Sequence, residues 1–314
     1  MEQIVNKLNL SKEEWLHYRR SGIGGSDAGA IAGLNPYKSP ISVYLDKTGQ
    51  IEPVEQTDAM YWGTVLEKVV ADEFTIRTNM KVRKNNTILR SEEHPFMIAN
   101  IDRVVVGAAE GLECKTTNAF NNDLWKNGSI PDVYMAQVQH YMAVTGFEAW
   151  WIAVLIGGND FRYKRVERDD DFIAMLIQLE EDFWINHVQA GVMPDVDGTS
   201  ASSEIIKQMF PDAIRDTQVM LPDYAEGTVM DYLASAAREK EYADRKDACA
   251  NVLKMLIGDK ETGLTESFAI NWKSVSSSRF DSKAFQKAQP ELYRQYSKES
   301  PSRRFTIKTI EEVK

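Results

Sequence analysis

The apolar residues of this chain follow two rhythms. Val65, Leu66, Val69, Val70 and Phe74 recur at helical spacing and predict a helix over 62–78. Ser11, with Glu14 three residues later, forms a capping-box pattern at the start of a short helix over 11–20. A glycine-rich turn, Ser21-Gly22-Ile23-Gly24-Gly25-Ser26-Asp27, comes next, with Ser26 or Asp27 expected to cap a small-residue helix through Ala28–Ala32. Asn35-Pro36-Tyr37 interrupts the pattern before a helix over 40–48. Strands are expected over 81–90, 97–106 and 111–117, then a helix over 131–146. The run Ala149-Trp150-Trp151-Ile152-Ala153-Val154-Leu155-Ile156 predicts a buried strand, with Phe161 to Val166 as its neighbour and an amphipathic helix over 169–189 behind it. This order is that of an α/β sandwich around a mixed sheet flanked by helices.

Pro194, Asp195, Asp197 and Gly198 mark a boundary, giving a core over 1–193 and an α+β C-terminal extension over 194–314. The extension should hold one long charged helix from Tyr224 to Leu256, straight or folded into a hairpin. A strand pair within Ser267–Val275, a helix through Phe285 and a final strand from Arg304 to Ile310 follow.

Composition narrows the class. Of 314 residues, 43% are hydrophobic and 27% charged, as in an ordinary globular protein. No apolar run approaches the roughly 20 residues of a membrane span. Met1-Glu2-Gln3-Ile4 lacks the basic and apolar segments of a leader, and two cysteines suit neither a disulfide framework nor zinc. A cytoplasmic setting without membrane contact is therefore expected. The net charge of −10 argues against indiscriminate coating of nucleic acid, but it is unevenly spread. Arg77, Lys81, Arg83, Lys84 and Arg90 occur with no acid among them, and 273–308 is basic again. Acids gather at Glu167–Asp171 and Glu180-Glu181-Asp182, so a basic groove on an acidic protein is the expected picture.

Candidate chemistry lies at Asp102, Glu113 and Lys115. In a strand Glu113 and Lys115 point to one face and Cys114 to the other. A turn over 107–111 would return Asp102 beside them. Two carboxylates and an ammonium at one point suit a divalent cation, a water and a phosphodiester; taken singly, each could equally be a solvated strand end or a surface ion pair. Glu67 lies on the preceding helix, and Tyr134, Gln137 and Tyr141 share a face of the following one.

These residues, with Arg20-Ser21-Gly22-Ile23-Gly24-Gly25-Ser26-Asp27, Gly63-Thr64-Val65-Leu66-Glu67 and Tyr134-Met135-Ala136-Gln137-Val138-Gln139-His140-Tyr141-Met142, resemble the YqaJ-type viral recombinase family. That family is related to phage lambda exonuclease within the PD-(D/E)xK nuclease fold. The resemblance covers roughly residues 12–190, and Ser274–Phe280 also resembles the C-terminal part of YqaJ-type proteins.

The resemblance implies a Mg2+-dependent 5′-to-3′ exonuclease on double-stranded DNA ends, with Mn2+ able to substitute. It would leave 3′ single-stranded tails for phage-type recombination by strand annealing. Asp102, Glu113 and the Cys114 backbone carbonyl would hold the cation, with Glu67 at a second one. Lys115 would orient or deprotonate water, Gln137 would bond that water or Lys115, and Tyr134 would support it. Ser26 and either Arg19 or Arg20 would hold the 5′-terminal phosphate, where backbone N–H groups at a helix start favour an anion. For Ser26 a plain capping role is the other reading. The family implies a homotrimer, a RecT-like single-strand annealing partner, and a phage or prophage protein in a bacterial cytoplasm. An endonuclease on the same fold and an adaptor with a vestigial nuclease core are the competing readings.

Overall fold

The chain begins with a strand, β1 (Glu2–Asn6), that the sequence pattern does not announce, followed by a short 3-10 turn. Helix α1 (Lys12–Arg20) carries the expected capping box: Ser11 Oγ accepts from the Glu14 amide at 3.2 Å, and Glu14 accepts from the Ser11 amide at 2.8 Å. A two-residue strand, β2 (Ile23–Gly24), leads into α2 (Gly25–Ile31) and then α3 (Pro40–Lys47). The cap of α2 differs from expectation. Gly24 occupies the cap position, and Asp27 lies in the first turn, accepting from the Gly24 amide at 3.1 Å. The structure, a computed structural model, describes residues 1–52, 56–298 and 302–309.

Helix α4 (Asp58–Thr78) precedes β3 (Val82–Lys84), β4 (Thr87–Arg90), β5 (Met97–Ala99), β6 (Arg103–Val105) and β7 (Glu110–Thr117). Each of the two strands expected over 81–90 and 97–106 is thus split, because the chain changes sheet twice. At Asn85 the side-chain amide donates to the Thr87 carbonyl at 2.7 Å and its oxygen accepts from Thr87 Oγ1 at 3.0 Å, a local bonding pattern that competes with a ladder. At 100–102 the chain leaves one sheet for the other, and Asp102 lies at that crossing, one residue before β6 rather than on a strand.

One sheet has the order β1-β4-β5-β2, antiparallel except for the parallel β2–β5 pair. The other adds β8 (Ala149–Ile156) and β9 (Asp160–Glu167) in the order β3-β6-β7-β8-β9. Within it β7 and β8 are parallel, joined by a crossover through a 3-10 segment over 119–128 and helix α5 (Asp132–Thr145). Strand β8 explains its own apolar run. Trp150, Ile152, Val154 and Ile156 pack with Val138, Tyr141 and Met142 of α5, while Trp151, Ala153 and Leu155 pack with Val70, Ala71 and Phe74 of α4. Both faces of the strand are covered, so no polar alternation survives. The same period puts Leu112 and Cys114 of β7 toward α4 and leaves Glu113 and Lys115 on the α5 side.

Helix α6 (Asp170–Phe183) ends in a π-helical turn over 184–189, where a single helix to Gln189 is expected. Glu180 of α6 and His140 of α5 are fully buried: His140 Nδ1 lies 2.8 Å from Glu180 Oε1 and Nε2 lies 2.9 Å from the Ile98 carbonyl, tying both helices to β5. Helix α7 (Ser200–Met209) buries Ile205 with Ile41, Val43, Leu45 and Phe183. The packing therefore carries the first compact unit through Met209, past the division at 193 expected from sequence.

The second unit, 210–314, holds α8 (Tyr224–Ile257), which is one uninterrupted helix and no hairpin. Strands β10 (Thr262–Leu264) and β11 (Ala269–Asn271) pair, and helices α9 (Ser282–Ala288) and α10 (Pro290–Tyr296) follow. Residues 302–309 form no strand, against the expectation for 304–310, whose last residue lies outside the described residues. Among the described residues no helix is long and apolar enough to cross a membrane.

Candidate active site

The β6–β7 hairpin turns at Gly107 (φ +87°), and its register pairs Arg103 with Leu112. Asp102 therefore stands opposite Glu113, as the expected turn requires. The Cys114 amide donates to Asp102 Oδ2 at 2.9 Å, which locks the carboxylate across the hairpin. Lys115 Nζ donates to Glu113 Oε1 at 2.6 Å and to Gln137 Oε1 at 2.9 Å, and it lies 4.6 Å from the centre of the Tyr134 ring. Gln137 Nε2 donates to Glu113 Oε1 at 2.8 Å and to the Tyr141 hydroxyl at 2.9 Å, so both its amide hydrogens and its carbonyl are used by the protein. That saturation ties the Lys115 ammonium, Glu113 and Tyr141 together through Gln137. Tyr141 completes the chain by donating to the Asn100 carbonyl at 3.3 Å.

Electrostatics set the character of this cluster. Burial, and then the Glu113 charge, push the Asp102 carboxyl up to about 8. Burial works against the Lys115 ammonium, but Glu113 and Asp102 outweigh it and hold its pKa above the ordinary lysine range. Lys115 is thus a charged donor in this state, and its use as a base would first require losing that proton. Burial also raises the Cys114 thiol and the Tyr141 phenol, which stay protonated. Glu113 Oε2 is buried with no hydrogen-bond partner. An orphaned carboxylate oxygen beside a carboxyl that cannot easily ionise is the donor set a hard cation would complete.

Asp102 and Glu113 are the carboxylates here that would hold a divalent cation, since a hard ion binds through one or two carboxylates and retains water. Glu67 does not join them: its carboxylate is bonded to Arg103, and among the described residues no three acidic, histidine or cysteine side chains group as a metal cluster. Its charge still adds to the pressure on Asp102.

The two arginines share the Asp46 carboxylate, at 3.7 Å from Arg19 and 3.8 Å from Arg20, and differ in their other contacts. Arg19 lines a cavity of about 240 Å3 shared with Ser26, Asp102, Glu113 and Gln137, and its guanidinium lies 5.4 Å from the Trp15 ring centre. Arg20 turns away, donating to the Ile51 carbonyl at 3.2 Å. Gly25 brings the start of α2 to this cavity, since a Cβ there would strike the Tyr141 ring. Behind Ser26, the buried Asp27 takes Lys38 Nζ at 2.5 Å and Lys47 Nζ at 2.6 Å. Burial opposes the Asp27 charge, yet Lys38, Lys47 and Arg19 outweigh it and hold the carboxyl well below its usual range.

Two residues here were not singled out from sequence: Arg103 and Lys7. Tyr141 lay in the polar stripe of α5 and Asp27 was read as a helix cap, whereas Arg103 merely adjoins Asp102. Lys7, whose ammonium donates to Asn100 Oδ1, carried no signal because β1 itself did not.

The family described as "YqaJ-like viral recombinase domain" matches residues 14–148, which contain every one of these candidates except Lys7. The YqaJ protein of Bacillus subtilis (strain 168) is 40% identical over 312 residues, 98% of either chain. Protein D345L of African swine fever virus (isolate Tick/Malawi/Lil 20-1/1983) is 40% identical over 174 residues, 46% of this chain and 50% of its own. Among solved structures, LHK-Exo in complex with dAMP superposes with a TM-score of 0.50 at 21% identity, over 63% of this chain and 97% of that one. LHK-Exo is an alkaline exonuclease from Laribacter hongkongensis, and the likeness shows a shared α/β fold. With a relative matching end to end and the motif residues gathered at one hairpin, the chain belongs to the YqaJ-like viral recombinase family.

Proposed function

We propose that the protein is a Mg2+-dependent deoxyribonuclease that resects linear double-stranded DNA from its 5′ ends, leaving 3′ single-stranded tails. The observation that carries the reading is the shared cavity, lined by Asp102, by Glu113 with its orphaned Oε2, and by Arg19 and Ser26. A cation bound by Asp102, Glu113 and the Cys114 carbonyl supplies positive charge where negative charge develops on the phosphate. Lys115, aimed by Glu113, Gln137 and the Tyr134 ring, presents an ammonium donor to the water or phosphate oxygen at the scissile bond. Arg19 and Ser26 hold a terminal phosphate, which sets the reacting bond at a fixed distance from the strand end. Glu67 acts through Arg103 and the field at Asp102. A ring of three subunits and a RecT-like annealing protein that takes up the tails complete the proposal.

The test is an end-labelled linear duplex in Mg2+, with and without a 5′ phosphate, beside a circular control. Mononucleotides should appear from linear ends only, and faster where the 5′ end is phosphorylated, while Lys115→Ala should lower the rate by ~10²–10⁴-fold and keep DNA affinity. Cutting of circular duplex at a comparable rate would replace this reading with an endonuclease. Light scattering at micromolar protein checks the trimer.

A further inference from the structure

The strongest charge asymmetry of the molecule lies outside the site just described. Trp272 to Lys308 carries nine lysines and arginines against three acids, a surplus of +6 in a chain whose total is −10. The remaining residues therefore sum to −16. Six aromatic residues are interleaved with those cations: Trp272, Phe280, Phe285, Tyr293, Tyr296 and Phe305. All nine cations are exposed, and among the described residues none has a carboxylate within ion-pair distance. Trp272, Phe280, Tyr296 and Phe305 are roughly half to four-fifths exposed (48%, 73%, 79% and 74%). Stretches 272–281 and 302–309 carry no helix or strand, so their side chains flank an open backbone.

A solvated charged face is the ordinary explanation for exposed cations, but it does not account for exposed rings among them. Leaving apolar rings in water costs free energy, and a protein surface rarely does so repeatedly along one segment. Unpaired cations alternating with exposed rings are what an unstacked nucleic-acid strand requires: phosphates meet the cations and base faces meet the rings. A duplex would use the cations alone, since its bases are already stacked. An annealing protein with an acidic surface is the competing partner.

We propose that residues 272–298 and 302–308 provide a binding surface for single-stranded DNA. The nuclease reading supplies only the identity of that strand, the 3′ tail left by resection. A basic and aromatic segment can hold such a strand with little preference for sequence.

The experiment uses the full chain carrying Lys115→Ala, in EDTA, with fluorescein-labelled oligothymidylate and anisotropy titrations over a salt series. Reversing Lys283→Glu, Lys287→Glu and Arg294→Glu together should weaken binding at least about tenfold and flatten the salt slope by about two. Trp272→Ala with Phe280→Ala should weaken binding by a similar factor and leave the slope intact. Hydrogen exchange on the chain without these surface changes should show protection confined to 272–308 on adding oligothymidylate, which reads the surface independently of any substitution. Unchanged affinity in both variants, or no protection there, overturns the proposal. Loss of a co-purified annealing protein on charge reversal, with oligothymidylate binding intact, also overturns it in favour of a protein partner. If binding falls as expected while the Lys115-containing chain releases no nucleotides from duplex ends, the nuclease reading fails and this surface stands.

Discussion

Two buried charge clusters meet at one cavity, and they are built with opposite surpluses. Asp27 is a single carboxylate between two ammonium groups, and each of its oxygens is engaged: Oδ1 by Lys38, Oδ2 by Lys47 and the Gly24 amide. Asp102 has one backbone amide to bond, and burial, with a second carboxylate, Glu113, beside it, raises it to about 8. Lys115, the ammonium between them, bonds Glu113 directly and reaches Asp102 only through space. Both sites bury ionisable groups, yet one is complete and the other lacks a positive charge. A buried carboxylate is thus no sign of function in itself. The informative quantity is whether its immediate neighbours already neutralise it.

Neutral isosteres should break the comparison most sharply. Asp102→Asn keeps an acceptor for the Cys114 amide and removes a charge the fold does not want. We expect hydrolysis of duplex ends to fall by ~10³-fold, with unfolding free energy in EDTA unchanged or higher. Asp27→Asn strands two ammonium groups, one of them almost wholly inside the protein, and should cost about 3–5 kcal/mol. Urea titration of the two variants beside a nuclease assay separates the effects. Equal destabilisation by both would show that the two clusters are alike.

How much of this was legible from residues alone depended on the range of the interactions. Glu113, Lys115 and Asp102 were readable because a strand alternates faces and a hairpin brings its own arms together. The stripe Tyr134, Gln137 and Tyr141 was readable for the same reason on a helix. The Asp27 network was not, since its partners lie eleven residues on at Lys38 and further still at Lys47, with no periodicity connecting them. Nor did the pattern over 81–106 show that the chain crosses between sheets at Asn85-Asn86 and again at 100–102, because pairing partners, not local propensity, decide which sheet a short strand joins. Strand β1 shows this most plainly: Glu2–Asn6 is largely polar and pairs only with β4, more than eighty residues away.

Proton linkage gives a second, smaller way to separate the clusters. Asp102 has a folded pKa raised above 3.8, so the folded state holds a proton that the unfolded state has lost. Its contribution is full below about 4 and disappears as pH rises through about 8. Asp27 is depressed, so its contribution is present above the unfolded value of 3.8 and is lost as pH falls through the lower folded value. In EDTA, stability should therefore decline from both sides. Adding Mn2+ should recover the alkaline side only, because a bound cation replaces the proton on Asp102. Melting temperatures from pH 4 to 9, with EDTA or Mn2+, would show a larger cation shift at pH 9 than at pH 6. A cation shift independent of pH, or one that persists in Asp102→Asn, would remove the assignment of Asp102 as the open position.

The finest distinction concerns the adjacent arginines, which share a helix end but not a role. Arg19 lines the cavity and contributes to holding Asp27 ionised, so it touches both clusters. Both arginines reach Asp46 of α3, at 3.7 and 3.8 Å, but Arg20 also donates to the Ile51 carbonyl, a contact that fastens the chain after α3. Arg19→Ala should erase the preference for 5′-phosphorylated ends, a change of about tenfold in rate ratio if one charge-assisted contact is lost. Arg20→Ala should keep that preference and lower stability by ~1 kcal/mol, the worth of one partly buried hydrogen bond. The readout is the ratio of rates on phosphorylated and hydroxyl ends, which a merely destabilised protein would leave alone. If Arg20→Ala abolished the ratio and Arg19→Ala spared it, the cavity would not be the terminal-phosphate pocket.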